Sequence, residues 1–308
     1  MMVAAAKQTR VELDLIAMRP GSSKLQRRSL LLFLALIAAF ALMTEGAIIA
    51  FGFTLHLVTT LMWSVALAAI LTLKITGQPL ASLGWSWGPT KHHLIALLLP
   101  IGYGGVAYGI AGAFGLARFP TAEGVHAIVL SESFQALSAP WGLLAALALI
   151  ATAGLVGAMD NVLGEEIGWR GFLAPRLTAA MGFLPATLLT GALWALWHVP
   201  ILVFSAYNGG GDTAFEMSSF AVSVIAMSGV FAWLRLDSRS LWPAATLHAS
   251  HNLFIQVVFD PLSARAGQHI TMVSEFGVVT AAACVLFSLP FWILGTREFR
   301  RVEAAASA

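Results

Sequence analysis

Residues 29–73 read SLLLFLALIAAFALMTEGAIIAFGFTLHLVTTLMWSVALAAILTL, and Glu45 is the one charged residue among them. A helix needs about 20 apolar residues to cross the hydrocarbon core of a bilayer. The run is therefore long enough for two membrane-spanning helices, and Phe51-Gly52-Phe53 predicts the bend between them. This stretch decides the fold class, because only lipid can solvate so long an apolar run.

The composition of the whole chain agrees with a membrane protein. Of its 308 residues, 58% are hydrophobic and 10% are charged. A soluble domain has about 45–50% apolar and about 25% charged residues. A soluble fold could not keep so much apolar surface from water, and disordered chains have the opposite composition. The single cysteine, Cys284, excludes an intramolecular disulfide and a cysteine-based metal site.

Six further apolar stretches follow, so the sequence predicts an all-α, polytopic protein with about eight transmembrane helices. The later spans are predicted at 94–117, from 141 onward, at 185–204, at 217–234, at 241–259, and ending near 294. We divide the chain into a basic N-terminal arm (1–28), N-terminal helices (29–140), a core (141–260), and a last helix with its tail (261–308).

The basic residues predict an orientation. With the N-terminus in the cytoplasm and eight crossings, the cytoplasmic side receives all of the 17 Lys and Arg except Arg118 and Arg265. Such an excess is typical of cytoplasmic loops. We therefore expect both termini, and the opening of any active-site cavity, on the cytoplasmic side. The 13 Arg against 4 Lys, with many Ala and Gly, indicate a GC-rich bacterial genome, and we therefore expect a bacterial cytoplasmic membrane. Lipid head groups explain the basic arm, so we expect no nucleic-acid partner.

Three polar clusters lie within these apolar stretches: GEEIGWR at 164–170, WALWHVP at 194–200 and LHASHN at 247–252. Charge at membrane depth costs several kcal/mol and usually persists for function. A shared site is therefore favoured over three unrelated polar contacts.

Helical spacing separates the candidates. Glu166 and Arg170 are four residues apart, so they share a helix face and can neutralise each other. Glu165 points in another direction and is left to face a cavity. His248 and Asn252 likewise present two polar groups to one side of their helix.

The depth of Glu165 and His198 also predicts that they meet. If the fourth helix continues to about Thr178 and turns over 179–184, both residues lie ~20 Å from the turn at ~1.5 Å per residue. We therefore expect a long fourth helix and an active-site cavity formed by the fourth to seventh helices.

A structural interpretation exists for each feature. The Glu166–Arg170 pair can be a lock between neighbouring turns, and an intramembrane histidine such as His198 can simply bond a neighbouring helix. His251 is three residues from His248 and could face the site, but we favour a packing role for it, and we give Glu45 no catalytic part.

The pattern E-E-x-x-x-R, aromatic-x-x-x-H and H-x-x-x-N on successive membrane helices resembles the CPBP family of intramembrane proteases. This family comprises CAAX proteases, including the Ras-converting CAAX endopeptidase, and bacteriocin-processing enzymes. The resemblance covers residues 141–260, and WRGFLAPRL at 169–177 and SLWPA at 240–244 agree with it. One departure is Trp194, where the second motif usually has Phe. We expect Trp194 and Trp197 to be cavity walls.

The resemblance implies an intramembrane endopeptidase that cleaves a membrane-associated peptide or protein within the lipid bilayer. It assigns the activation of water to Glu165 and His198. It assigns oxyanion stabilisation to His248 and Asn252, and Glu166 and Arg170 support the first motif. The six site residues are Glu165, Glu166, Arg170, His198, His248 and Asn252.

Two other function classes stay open. A non-catalytic scaffold could bind membrane peptides, although it has no need for the complete set of polar residues. A proton-coupled transporter could use the same residues as a relay, although the sequence contains no inverted repeat.

No cofactor is favoured, but zinc is possible. Glu165, His198 and His248 are the ligand set of many zinc hydrolases. Zinc-bound histidines are usually oriented by acids or carbonyls, and the fifth and seventh predicted spans contain no acid. A backbone carbonyl could orient a histidine instead, and Pro200 leaves the carbonyl of Leu196 without its helical partner. The balance favours a metal-independent Glu/His mechanism.

Overall fold

A computed structural model describes residues 23–131, 134, 136–207, 209–263 and 269–307. In this part of the chain every regular element is a helix. Most of the predicted arm 1–28, and Arg265, lie outside the described residues. Residues 23–28 already belong to the first helix, so that helix begins earlier than predicted.

The helices are numbered here in chain order. They are α1 (Ser23–Phe51), α2 (Leu55–Ile75), α3 (Thr90–Ala113), α4 (Ala122–Ser131), α5 (Ala139–Leu149), α6 (Leu155–Glu166), α7 (Ala174–Met181), α8 (Phe183–Phe204), α9 (Thr213–Ser238), α10 (Trp242–His251), α11 (Asp260–Leu262), α12 (His269–Met272) and α13 (Val278–Ser307). Three π-helical segments continue the helical path between neighbours: Ile150–Gly154, Ile167–Leu173 and Asn252–Phe259.

Seven helical runs in the described residues are long and apolar enough to cross a membrane. They occupy the predicted first to sixth and eighth spans, which confirms an all-α polytopic membrane protein. The predicted seventh span is present as the helical path from α10 to α11. It is less apolar than the other seven runs, because His248, His251 and Asn252 lie within it.

The fourth span is long, as predicted, and runs from Pro140 to Met181. The turn that follows is shorter than the predicted 179–184, because Gly182 alone separates α7 from α8. Its φ of 80° lies in the region that glycine adopts without strain from a side chain. The chain therefore reverses within one residue, and α8 returns along the fourth span.

Close packing against α2 sets the position of α6. A Cβ on Gly164 would lie 2.8 Å from the carbonyl oxygen of Met62, so only glycine allows this approach. One turn earlier, the Thr59 hydroxyl hydrogen-bonds Oδ1 of Asn161 at 2.8 Å. These two contacts fix the depth and rotation of α6, and with them the direction in which Glu165 points.

The remaining helices enclose the centre of the bundle. The long helix α9 packs against α8 and α13, while α10 packs against α3 and α6. Helix association in lipid depends on such packing and on interhelical hydrogen bonds. The three polar clusters, on the fourth, fifth and seventh predicted spans, are thereby brought to the interior.

The connections between helices define two ends of the bundle. At one end the backbone N–H of Leu241 donates to the carbonyl of Gly84 at 2.9 Å, which joins the α2–α3 and α9–α10 connections. We call this the basic end, because it carries Lys74, Lys91, Arg176 and Arg239.

The opposite end, which we call the distal end, carries the other connections. There the N–H of Thr121 donates to the carbonyl of Leu262 at 2.8 Å. The ring of Tyr207 stacks on Phe53 with centroids 5.6 Å apart. Arg118 lies at this end, as the charge pattern predicts.

Candidate active site

A cavity of about 340 Å³ lies inside the bundle and is lined by residues of all three polar clusters. The structure thus brings together four of the six predicted site residues, and the other two lie behind the cavity wall. The lining members of the clusters are Glu165, Trp194, Trp197, His198, Leu247, His248, His251 and Asn252. Both tryptophans are walls of the cavity, as predicted.

The cavity wall includes more helices than the fourth to seventh, so that prediction is incomplete. Leu61 of α2, Tyr103 of α3 and Cys284 of α13 also line the cavity. These residues carry no motif, and their places depend on how the flanking helices pack.

Trp194 connects Glu165 to His198. Its indole Nε1 donates to Oε2 of Glu165 at 2.6 Å, and its backbone carbonyl accepts from Nδ1 of His198 at 2.8 Å. Because a carbonyl oxygen can only accept, Nδ1 carries a proton and Nε2 is available to an occupant of the cavity. The carbonyl that orients His198 is therefore that of Trp194, and the prediction of Leu196 is wrong.

Glu166 is fully buried and holds two partners on one oxygen. Its Oε1 accepts from Nη1 of Arg170 at 2.8 Å, which confirms the predicted ion pair. The same oxygen accepts from Nδ1 of His248 at 2.9 Å. The acid that orients His248 thus comes from the fourth span, and not from the fifth or seventh, which contain none.

The guanidinium of Arg170 is enclosed by aromatic rings. It lies 4.0 Å from the centroid of Trp194 and 3.8 Å from that of Phe231. Such cation–π contacts stabilise a buried positive charge. Arg170 therefore has little freedom, and it holds Glu166 in the orientation that reaches His248.

Asn252 lines the cavity at the point where α10 passes into its π-helical segment. His251, its neighbour, also lines the cavity and is hydrogen-bonded to the hydroxyl of Tyr103. This contact between α10 and α3 agrees with the packing role predicted for His251.

The cavity opens at the distal end of the bundle. Among its described lining residues, Phe53 and Val257 are the exposed ones, at 40% and 43%. Trp194, Phe231 and Leu247 are buried and close the other side. The mouth therefore lies away from the basic end, whereas the charge pattern predicts that the two coincide.

The wall carries a second polar group that the sequence motifs do not predict, made of Tyr207, Gln256 and Glu275. Tyr207 and Glu275 lie in connections between helices, outside every predicted motif. The isolated acid at 275 is the one signal in the sequence, and nothing there indicates that it turns inward.

Glu165, His198 and His248 are the residues that could coordinate a zinc ion. In the described part of the chain, no group of three His, Cys, Asp or Glu residues is arranged to hold a metal. One oxygen of Glu165 is also engaged by Trp194. The residues as arranged do not fit a zinc site, and the mechanism below contains no metal-dependent step.

Fold and site together define a polytopic α-helical membrane protein with a buried carboxylate–histidine cavity. Residues 139–254 match the family model described as Type II CAAX prenyl endopeptidase Rce1-like. The chain is also 28% identical over 129 residues to CAAX prenyl protease 2 of Methanococcus maripaludis. That match covers 40% of this chain and 45% of the relative, so it spans less than half of the relative's length. The resemblance of this core to the CAAX protease family is thereby confirmed.

Proposed function

We propose that the chain is an intramembrane endopeptidase that uses an activated water to hydrolyse a peptide bond of a membrane-associated peptide or protein. One observation carries the proposal: a single cavity brings together a carboxylate, imidazoles and a carboxamide from three polar clusters. Amide hydrolysis needs a base for water, donors for the oxyanion and a proton for the leaving amine. The four groups are Glu165, His198, His248 and Asn252.

Glu165 is the proposed base. Trp194 occupies its Oε2, which leaves Oε1 for the attacking water. Nε2 of His198 accepts the second hydrogen of that water and orients it. As the water oxygen bonds to the carbonyl carbon, its proton passes to Glu165. The same proton then reaches the amine nitrogen as the C–N bond breaks.

His248 and Asn252 are the proposed oxyanion donors. Nδ1 of His248 already donates to Glu166, so Nε2 donates to the oxyanion when the ring is doubly protonated. Glu166 balances the charge of that imidazolium. The side-chain amide of Asn252 supplies a second donor, and one such donor is typically worth about 10²–10³-fold in rate.

Location and substrate form part of the same proposal. We place the chain in a bacterial cytoplasmic membrane with both termini in the cytoplasm, because the basic end then faces inward. The partner is a membrane-associated peptide or protein, and no nucleic acid is involved. The name of the archaeal relative refers to a CAAX prenyl substrate, so a prenylated peptide belongs among the test substrates.

The test compares membrane peptides from cells that express the unchanged chain, Glu165→Ala or Glu45→Ala. Glu45 is a matched control, because it is a buried acid of α1 outside the cavity lining. We expect substrates to stay uncut with Glu165→Ala and to be cut with the other two. Identical cleaved termini in all three samples would overturn the proposal. A scaffold would change which proteins co-purify without changing cleaved termini.

A further inference from the structure

Glu275 forms a second polar site between the cavity mouth and the proposed catalytic residues. It lies in the connection before α13 and lines the cavity. Its Oε2 accepts from the Tyr207 hydroxyl at 3.0 Å and from Nε2 of Gln256 at 3.0 Å. Two neutral donors on one oxygen fix the carboxylate. Oε1 is left without a hydrogen bond from the described residues and is not sealed from the cavity.

The cavity contains no lysine or arginine among its described lining residues. Its basic side chains are His198, His248 and His251. Glu275 is nevertheless only 9% exposed. A buried carboxylate without a paired cation is costly, and proteins normally avoid one.

The protonation of Glu275 reflects this missing counter-charge. Burial, together with the negative charge of Asp260, raises the pKa of Glu275 to about 7. The hydrogen bonds from Tyr207 and Gln256 and the nearby His248 lower this pKa, but burial outweighs them. An empty site therefore exchanges a proton near neutral pH, and an entering cation could take the place of that proton.

Tyr207 locates this carboxylate relative to the mouth and to His198. One face of its ring stacks on Phe53 at the mouth, with centroids 5.6 Å apart. The ring of His198 is also stacked against Tyr207, with centroids 6.3 Å apart. Tyr207 thus lies between the mouth and His198, and the carboxylate that it holds lies beside the path of a peptide that enters from the mouth.

We propose that Glu275, held by Tyr207 and Gln256, is a subsite for a positively charged group of the substrate close to the cleaved bond. This inference rests on the proposed function, because it assigns one contact of the peptide in that cavity. The group is an ammonium or guanidinium, either on a side chain or at a free amino terminus. A charge-assisted hydrogen bond to Oε1 belongs to the strong class, and a neutral residue would leave the carboxylate unpaired.

Peptide binding tests the subsite without requiring cleavage. Full-length Glu165→Gln protein is placed in nanodiscs of neutral lipid, which removes charge attraction by the membrane. The probes are N-acetylated hydrophobic 12-residue peptides in which one lysine is moved through every position, each paired with a norleucine peptide. A norleucine peptide with a free amino terminus separates terminal from side-chain recognition. The same series is measured with Glu275→Gln added, and with the exposed distal-end control Glu123→Gln.

We expect at least one lysine position, or the free amino terminus, to bind about tenfold tighter than its neutral match, as for one hydrogen bond to a charged group. Glu275→Gln should reduce this ratio to about one, whereas Glu123→Gln should preserve it. The subsite is rejected if no cationic peptide is preferred, or if the preference survives Glu275→Gln. A lack of cleavage in the active protein would count against the proposed function and would leave these binding ratios interpretable.

A pH series on the Glu165→Gln protein with Glu275 intact provides a second readout if Glu275→Gln fails to fold. A group with a pKa of about 7 is about 90% ionised at pH 8 and about 10% ionised at pH 6. The lysine preference should therefore fall from about ninefold at pH 8 to about twofold at pH 6. The norleucine peptides correct for pH effects that do not depend on the charge of the peptide. A lysine preference equal at both pH values would contradict the subsite.

Discussion

Nδ1 of His248 donates to Oε1 of Glu166 at 2.9 Å, and that same oxygen accepts from Arg170 at 2.8 Å. One carboxylate oxygen therefore connects the fourth and seventh predicted spans. Glu166 does more than close a turn of its own helix, because it also sets the tautomer and the orientation of the His248 ring. In the proposed mechanism Glu166 is a positioning residue, which acts on the substrate through His248.

The variant Glu166→Gln tests this positioning role. It removes the charge that His248 and Arg170 share but keeps the shape of the side chain. We expect kcat to fall about 10–100-fold, by analogy with groups that orient metal-binding histidines, with KM nearly unchanged. Melting in detergent should also occur at a lower temperature. If stability falls while kcat stays normal, Glu166 is a structural lock alone.

Trp194→Phe tests the connection between Glu165 and His198. Phenylalanine keeps the aromatic wall and the backbone carbonyl that binds His198, but it removes the indole donor to Glu165. A hydrogen bond to a charged group contributes about 1.5–3 kcal/mol. We therefore expect kcat/KM to fall about tenfold while the protein remains folded. An unchanged kcat/KM would show that Trp194 is a wall only.

Reporter fusions test the orientation. A fusion after Arg118 should report the non-cytoplasmic side, and a fusion after Arg301 the cytoplasmic side. If both fusions report the same side of the membrane, the prediction of eight crossings with cytoplasmic termini is wrong. If the fusion after Arg118 reports the cytoplasmic side and the fusion after Arg301 the other side, the number of crossings stands but the orientation is reversed. The mouth of the cavity would then face the cytoplasm.

Metal removal tests the Glu/His mechanism. The purified protein is analysed for zinc, and cleavage is measured before and after dialysis against a chelator. We expect activity to persist, because Glu165 and His198 serve the water directly in the proposed mechanism. Stoichiometric zinc, with activity lost on chelation and restored by zinc, would reverse this choice and keep the residues of the site.

Features that depend on local spacing could be predicted from the sequence. The length of an apolar run predicts a membrane helix, and a four-residue interval predicts the Glu166–Arg170 pair. The rise per residue of a helix also places Glu165 and His198 at the same depth, so that both reach one cavity. Each of these properties belongs to one helix or to two helices joined by a short turn.

Features that depend on the rotation of distant helices could not be predicted. Glu166 and His248 are 82 residues apart, and the bond between them requires the packing of α6 against α10. Glu275 faces the cavity in a connection where Tyr207 and Gln256 hold its carboxylate, and no periodic pattern describes a connection. The charge pattern concerns which end of the bundle faces the cytoplasm, so it carries no information about where the helices leave a cavity open.

Hydrolysis in proteoliposomes tests the central claim most directly. The unchanged protein, Glu165→Gln and the control Glu45→Gln are each reconstituted with a membrane peptide identified as a substrate, in water enriched in ¹⁸O. We predict that the unchanged protein and the control cleave it and place ¹⁸O in the new carboxyl terminus. Glu165→Gln should be folded and at least about 100-fold slower, as expected for the loss of a general base. Cleavage by folded Glu165→Gln at the normal rate would contradict the assignment of Glu165 as the base.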